Sequence, residues 1–108
     1  MNDERIASLR AQSGGPRDGA LLRFSLGNML LADGHIGSAI DELRHAVAFD
    51  PDYSAAWKLL GRACLDAGQP EAAAHAWHSG ITAAAKRGDK QAEKEMGVFL
   101  RRLEKPNP

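Results

Sequence analysis

From Trp57 to Trp77 the chain reads WKLLGRACLDAGQPEAAAHAW. Thirty-four residues upstream the same skeleton recurs: Leu26-Gly27 stands where Leu60-Gly61 does, Gly34 where Gly68 does, and Ala39 where Ala73 does. Leu43 takes the place of Trp77, and Ile40 that of Ala74. Matches in one register at one offset define an internal repeat, with one unit over residues 20–53 and a second over 54–87.

Each unit predicts a helical hairpin. Leu22, Leu26, Met29 and Leu30 recur at spacings of three and four, Asp33-Gly34 interrupts them, and Ala39, Leu43, Ala46 and Val47 resume the period. Gly34 and Gly68 stand where a helix must end in a left-handed residue, which costs a residue with a side chain about 1–2 kcal/mol. Pro70 suits the first turn of the helix that follows. Gly27 and Gly61 lie in mid-helix instead, where each costs about 1 kcal/mol relative to alanine. Close approach of a partner helix is the expected compensation.

Trp57-x2-Leu60-Gly61-x2-Cys64 and Ala73-x3-Trp77, with Ala39, Ala46 and Pro51 in the first unit, resemble the tetratricopeptide repeat over residues 20–87. The chain departs from the family pattern at Arg23, which replaces the first unit's aromatic residue. Leu30 and Cys64 replace tyrosine, and Ala85 stands where proline is usual. The resemblance implies an all-α superhelix of two helix-turn-helix repeats that binds a protein or peptide partner and is not an enzyme.

Residues flanking the repeats predict how the array ends. Gly88-Asp89 reads as a helix stop followed by an N-cap. Ala92, Met96, Phe99, Leu100 and Leu103 then form an apolar stripe opposite Lys90, Lys94, Arg101 and Arg102. A helix over 89–104 is expected to cap the array, since two hairpins are fewer than the usual minimum of three units. Gly97, 36 residues after Gly61, reads as a displaced copy of the packing glycine. The tail, residues 105–108, cannot continue a helix and is expected to be disordered. An N-terminal segment, 1–17, precedes the helical domain at 18–104. It reads as either a short helix through Ile6 and Leu9 or a frayed, disordered stretch, because its apolar face is thin, followed by a flexible linker at Ser13-Gly14-Gly15-Pro16.

The chain has 108 residues, 44% of them hydrophobic and 26% charged, which suits one soluble domain. Fourteen basic residues balance fourteen acidic ones, so no global field draws the chain to nucleic acid or to an anionic membrane. The excess of seven bases over four acids in residues 86–108 reads as a solvated face. No apolar run approaches the roughly 20 residues that span a bilayer. The opening MNDERIASLR lacks the apolar stretch of a signal peptide, and the single cysteine, Cys64, fits a reducing compartment. A cytoplasmic location is expected.

No catalytic constellation is expected. Asp41 and Glu42 are adjacent and point apart, and Cys64 stands at an interior helix position. His75 and His78 share a helix but lack a third ligand, so no metal or other cofactor is predicted. His35 is a turn residue and His45 an outward one. Trp57 and Trp77 read as fillers between helices.

The resemblance implies that the first helices of successive units line a concave groove. Its groove positions are Leu21, Phe24, Asn28 and Leu31 in the first unit, and Ala55, Lys58, Arg62 and Leu65 in the second. With Gly97 setting the register, Lys94, Val98 and Arg101 follow. Such a groove is apolar at one end and basic at the other. The carboxylate clamp of some family members is not expected, because Phe24 and Leu59 occupy a lysine and an asparagine position of that motif. Lys58 and Arg62, one turn apart, suit an acidic group of a ligand. Leu21, Phe24 and Leu31 on one face predict an apolar patch that something covers: the N-terminal segment, a second copy in a homodimer, or the partner.

Overall fold

A computed structural model describes residues 3–105 of the chain. Six helices follow one another: α1 (Asp3–Gln12), α2 (Ala20–Ala32), α3 (Ile36–Phe49), α4 (Ser54–Asp66), α5 (Pro70–Arg87) and α6 (Lys90–Glu104). The tail expected to be disordered lies outside the described residues except for Lys105. Each helix packs on the next from α1 to α6, and the first helices of the units also touch one another, α2 on α4 and α4 on α6. Two layers result, with α2, α4 and α6 in one and α3 and α5 in the other. The radius of gyration, 14.1 Å, exceeds the roughly 13 Å of a compact domain of this size, as stacking along one axis requires.

The turns close alike. Gly34, Gly68 and Gly88 have φ of 82°, 75° and 72°, the left-handed conformation that glycine adopts without a Cβ penalty. At each, the amide of the next residue donates back across the helix end: His35 to Leu30, Gln69 to Cys64, Asp89 to Ala84. This satisfies carbonyls that the helix terminus leaves without partners. Asp89 also caps α6, its carboxylate accepting from the amide of Ala92 at 3.1 Å.

Pro51 accounts for the difference between the two units. The residue before a proline is pushed out of the helical region, and Asp50 is extended at φ −139°, ψ 94°, ending α3 after 14 residues. With Ala85 at the corresponding place, α5 continues to 18 residues, and only Gly88 and Asp89 separate it from α6. The longer helix and shorter connection together displace α6 by two residues. At the resulting offset of 36, Ala92, Met96 and Leu100 are buried as Ala56, Leu60 and Cys64 are.

Gly27 and Gly61 are contact points between helices. A Cβ on Gly27 would lie 2.7 Å from Cγ of Leu43, and one on Gly61 would overlap the indole of Trp77. Gly97 keeps the register but not the role, because among the described residues an added Cβ would meet only the tip of Arg101, at 3.7 Å. Gly80 does close-packing work that its sequence position did not announce. A Cβ there would stand 2.8 Å from Cβ of Trp57 and would overlap the sulfur of Met96. Trp57, expected as a filler, is half-buried, and its indole donates to the carbonyl of Pro51 at 2.8 Å.

The N-terminal segment takes the helical alternative. Ile6 is 7% exposed and joins Leu26, Leu30 and Ala39 in an apolar cluster, with Leu9 and Met29 packed beside it. The connection to α2 is fastened by Asp18, whose carboxylate accepts from the amides of Gly14 at 2.7 Å and Gly19 at 2.9 Å. Arg23, standing where the repeat usually has an aromatic residue, pairs with Asp18 at 2.8 Å and with Glu42 of α3 at 2.7 Å. A planar guanidinium with donors on several edges can serve two carboxylates at once. Arg23 thereby ties the connection to the first hairpin.

Candidate functional site

One face of the array carries a depression of about 550 Å³. The first helices build its walls: Phe24 and Asn28 from α2; Ala55, Lys58, Leu59 and Arg62 from α4; Glu95, Phe99 and Arg102 from α6. Trp77, from the second layer, closes the floor. These residues converge because positions one turn apart share a helix face and the three helices stand side by side.

The floor and one wall are aromatic. Trp77 is 3% exposed, and its indole nitrogen donates to the carbonyl of Lys58 at 3.1 Å. Phe99 leans on it with ring centroids 5.3 Å apart, and Phe24 packs against Tyr53 at 5.0 Å, both within the range of favourable aromatic pairing. The rim is charged. Lys58 reaches Glu95 at 3.5 Å, an ion pair that spans from α4 to α6. Arg62 lies 3.7 Å from Asp66 on its own helix and remains 70% exposed. Arg102 is exposed and has no ion-pair or hydrogen-bond partner among the described residues.

Of the residues expected in a groove, Phe24, Asn28, Ala55, Lys58 and Arg62 come together here. Leu21 and Leu65 do not line the depression; they stand exposed on α2 and α4. Leu31 turns inward and packs against the apolar core. The expected apolar patch is therefore smaller than the sequence implied: Phe24 is half-buried and packs on one side against Tyr53, Leu31 packs against the core, and Leu21 stands exposed. α1 does not line the depression. Along α6 the lining is shifted by one position, with Glu95, Phe99 and Arg102 in place of Lys94, Val98 and Arg101. α6 lines the depression with the flank it turns toward α4. The sequence placed Phe99 and Arg102 on this helix without showing which flank faces α4.

A second depression, about 490 Å³, lies where α3, α4 and α5 meet, lined by Arg44, Val47, Trp57, Cys64 and His75 among others. Cys64 is buried, and burial pushes its thiol pKa up against the opposing influence of Arg44, which makes it a poor nucleophile near neutral pH. His78 lies 3.6 Å from Glu104. Among the described residues no group of three or more His, Cys, Asp or Glu side chains is placed to hold a metal ion, and no helix is long and apolar enough to cross a membrane.

The chain is similar to known proteins in sequence and fold. The family model described as "Tetratricopeptide repeat" matches residues 30–87. A TPR repeat-containing protein of Pseudomonas aeruginosa is 52% identical over 88 residues, covering 82% of this chain and 84% of that protein. The solution structure of a protein from Bordetella parapertussis superposes with a TM-score of 0.78 at 44% identity, over 95% of this chain and 87% of the other.

Proposed function

The chain belongs to the tetratricopeptide repeat family, and from that premise we propose that it is a non-catalytic adaptor or scaffold whose depression on α2, α4 and α6 receives a peptide segment of a protein partner, in the cytoplasm. One observation carries the reading: Phe24, Asn28, Lys58 and Arg62, contributed by two different repeats, line one cavity with an aromatic floor. Concave, largely apolar sites with a few convergent polar groups are where ligands bind. About 550 Å³ accommodates a few side chains of a segment, so the rest of a bound segment would lie along the face.

Plugging variants test this. A library of short random peptides is selected on the immobilised protein, and the retained peptides are measured again on Asn28→Trp and Ala55→Trp. Both positions are exposed, so the fold should survive, as a thermal melt would verify. Binding lost in both variants is the expected result. Peptides that bind the plugged and the parent proteins equally would remove the groove from the account.

A further inference from the structure

The charges on the rim differ in how free they are, and that difference bears on what the groove selects. Lys58 has its carboxylate already: Glu95 stands 3.5 Å away, both side chains about two-fifths exposed, and the pair spans the mouth of the cavity between α4 and α6. Arg62 has only a loose contact with Asp66, at 3.7 Å and with the guanidinium 70% exposed. Arg102 has no ion-pair partner among the described residues. The lining thus contains three cations against one anion, and the uncommitted positive charge is on the arginines.

Resting on the peptide-binding reading above, we infer that the groove selects a partner segment in which a large apolar side chain stands near a carboxylate, the apolar group lying over Leu59 and Phe99 and the carboxylate meeting Arg62 and Arg102, while Glu95 keeps Lys58 out of the charge reading. Charge complementarity favours this occupant over a basic or uncharged one. Arginine presents planar paired donors that match a carboxylate edge, which a lysine does not. Glu95 is the specificity-setting residue of the arrangement. Its carboxylate occupies Lys58 as a ligand's acid would, so an acidic ligand that sought Lys58 would have to displace it. Removing the Glu95 charge releases Lys58 and takes away a repulsive anion, which strengthens acidic segments without creating any new apolar contact.

The library selected for the peptide-binding reading also tests this inference. Peptides retained by the parent protein and lost on Asn28→Trp are expected to be enriched in Asp or Glu near a Leu, Phe, Tyr or Trp. Synthetic versions, with ends blocked and the acid changed to its amide, should bind the parent about fivefold more weakly. Arg62→Glu and Arg102→Glu should each weaken the acidic version by about as much or more, and Glu95→Gln should strengthen it by a few fold, while the amide version changes little in all three. Groove-dependent peptides without acidic enrichment, or an acidic peptide indifferent to both arginine reversals, would overturn the inference and leave peptide binding standing. Weaker binding of the acidic peptide to Glu95→Gln would overturn the role given to Glu95. A library that yields no groove-dependent peptide overturns both readings together.

Discussion

Trp77 lies across the stretch of α4 that Gly61 leaves bare, its indole nitrogen donating to the main-chain carbonyl of Lys58 at 3.1 Å. The ring is at once the filler of the second hairpin and the floor of the groove. A methyl group on Gly61 would stand inside the indole, and the indole is too large and too enclosed to step aside. Gly61→Ala is therefore expected to lower stability by about 1–3 kcal/mol despite alanine's better helix propensity. Gly97→Ala, at the matching place on α6 but with open space beside it, should gain up to about 1 kcal/mol. Denaturant unfolding of the two variants checks the contrast. Equal effects of the same sign would mean that glycine at this position is not about helix approach.

Acid should loosen the N-terminal end first. Arg23 beside Asp18, with the amides of Gly14 and Gly19, holds the Asp18 carboxyl far below the usual aspartate range. A group whose pKa is depressed on folding adds stability above its unfolded value near 3.9, and that stability is lost as the pH falls toward the folded value. Asp18→Asn should accordingly be less stable than the parent at neutral pH. The gap should narrow as the pH is lowered below about 4. Thermal melts of both proteins from neutral pH down to the acid limit of folding measure it, and a gap that is constant with pH would show that the Asp18 charge contributes nothing.

Ile6 is the anchor of α1, and a buried aliphatic cut to alanine costs about 2–5 kcal/mol where the surroundings cannot collapse. α1 is short, so the lower part of that range applies, and the expected consequence is release of α1 rather than unfolding of the repeats. In Ile6→Ala, amide exchange should quicken over residues 3–12 and leave α4 and α5 protected. Uniform quickening throughout would mean that α1 belongs to one cooperative unit with the repeats.

Self-association is not expected. Among the described residues the large exposed apolar side chains, Leu21, Phe49 and Leu65, are on three different helices, whereas a stable interface buries about 1,200 Å² or more in total. Light scattering should report a monomer, unchanged by Leu21→Glu. A dimer that this substitution dissolves would favour a homodimer built on the exposed flank of α2 over a monomeric peptide-binding protein.

How much of this was legible in the chain depends on what each residue has to do locally. Gly34, Gly68 and Gly88 end helices by backbone conformation and Asp89 starts one with its side chain, properties each carries in its own chemistry; with the repeated apolar period they made the all-α class and the order from α2 to α6 legible, while α1 was left between helix and disorder. Gly27 and Gly61 recur at the repeat offset, so their packing role was readable. Gly80 has no matching glycine, because Ala46 holds its place in the first unit, and its importance arises from Trp57 and Met96 on two other helices. The same limit explains the groove. Phe24, Asn28, Lys58 and Arg62 could be assigned from repeat position, but Glu95, Phe99 and Arg102 depend on the angle at which α6 closes the array. That angle is set by packing on α5 and by the two-residue turn at Gly88-Asp89. Arg23 was visible as a departure from the repeat, while its bridging of Asp18 and Glu42 required the fold.

Amide chemical-shift mapping reads out directly whether a peptide binds in the groove. A labelled protein is titrated with a peptide retained from the random library, with Trp57→Phe used in parallel so that indole fluorescence reports Trp77 alone. The largest shifts are expected on residues around Phe24, Asn28, Arg62, Phe99 and Arg102, with the Trp77 emission changing at the same affinity. Shifts centred instead on the second depression, near Arg44 and His75, with the Trp77 emission unmoved, would contradict binding in the groove.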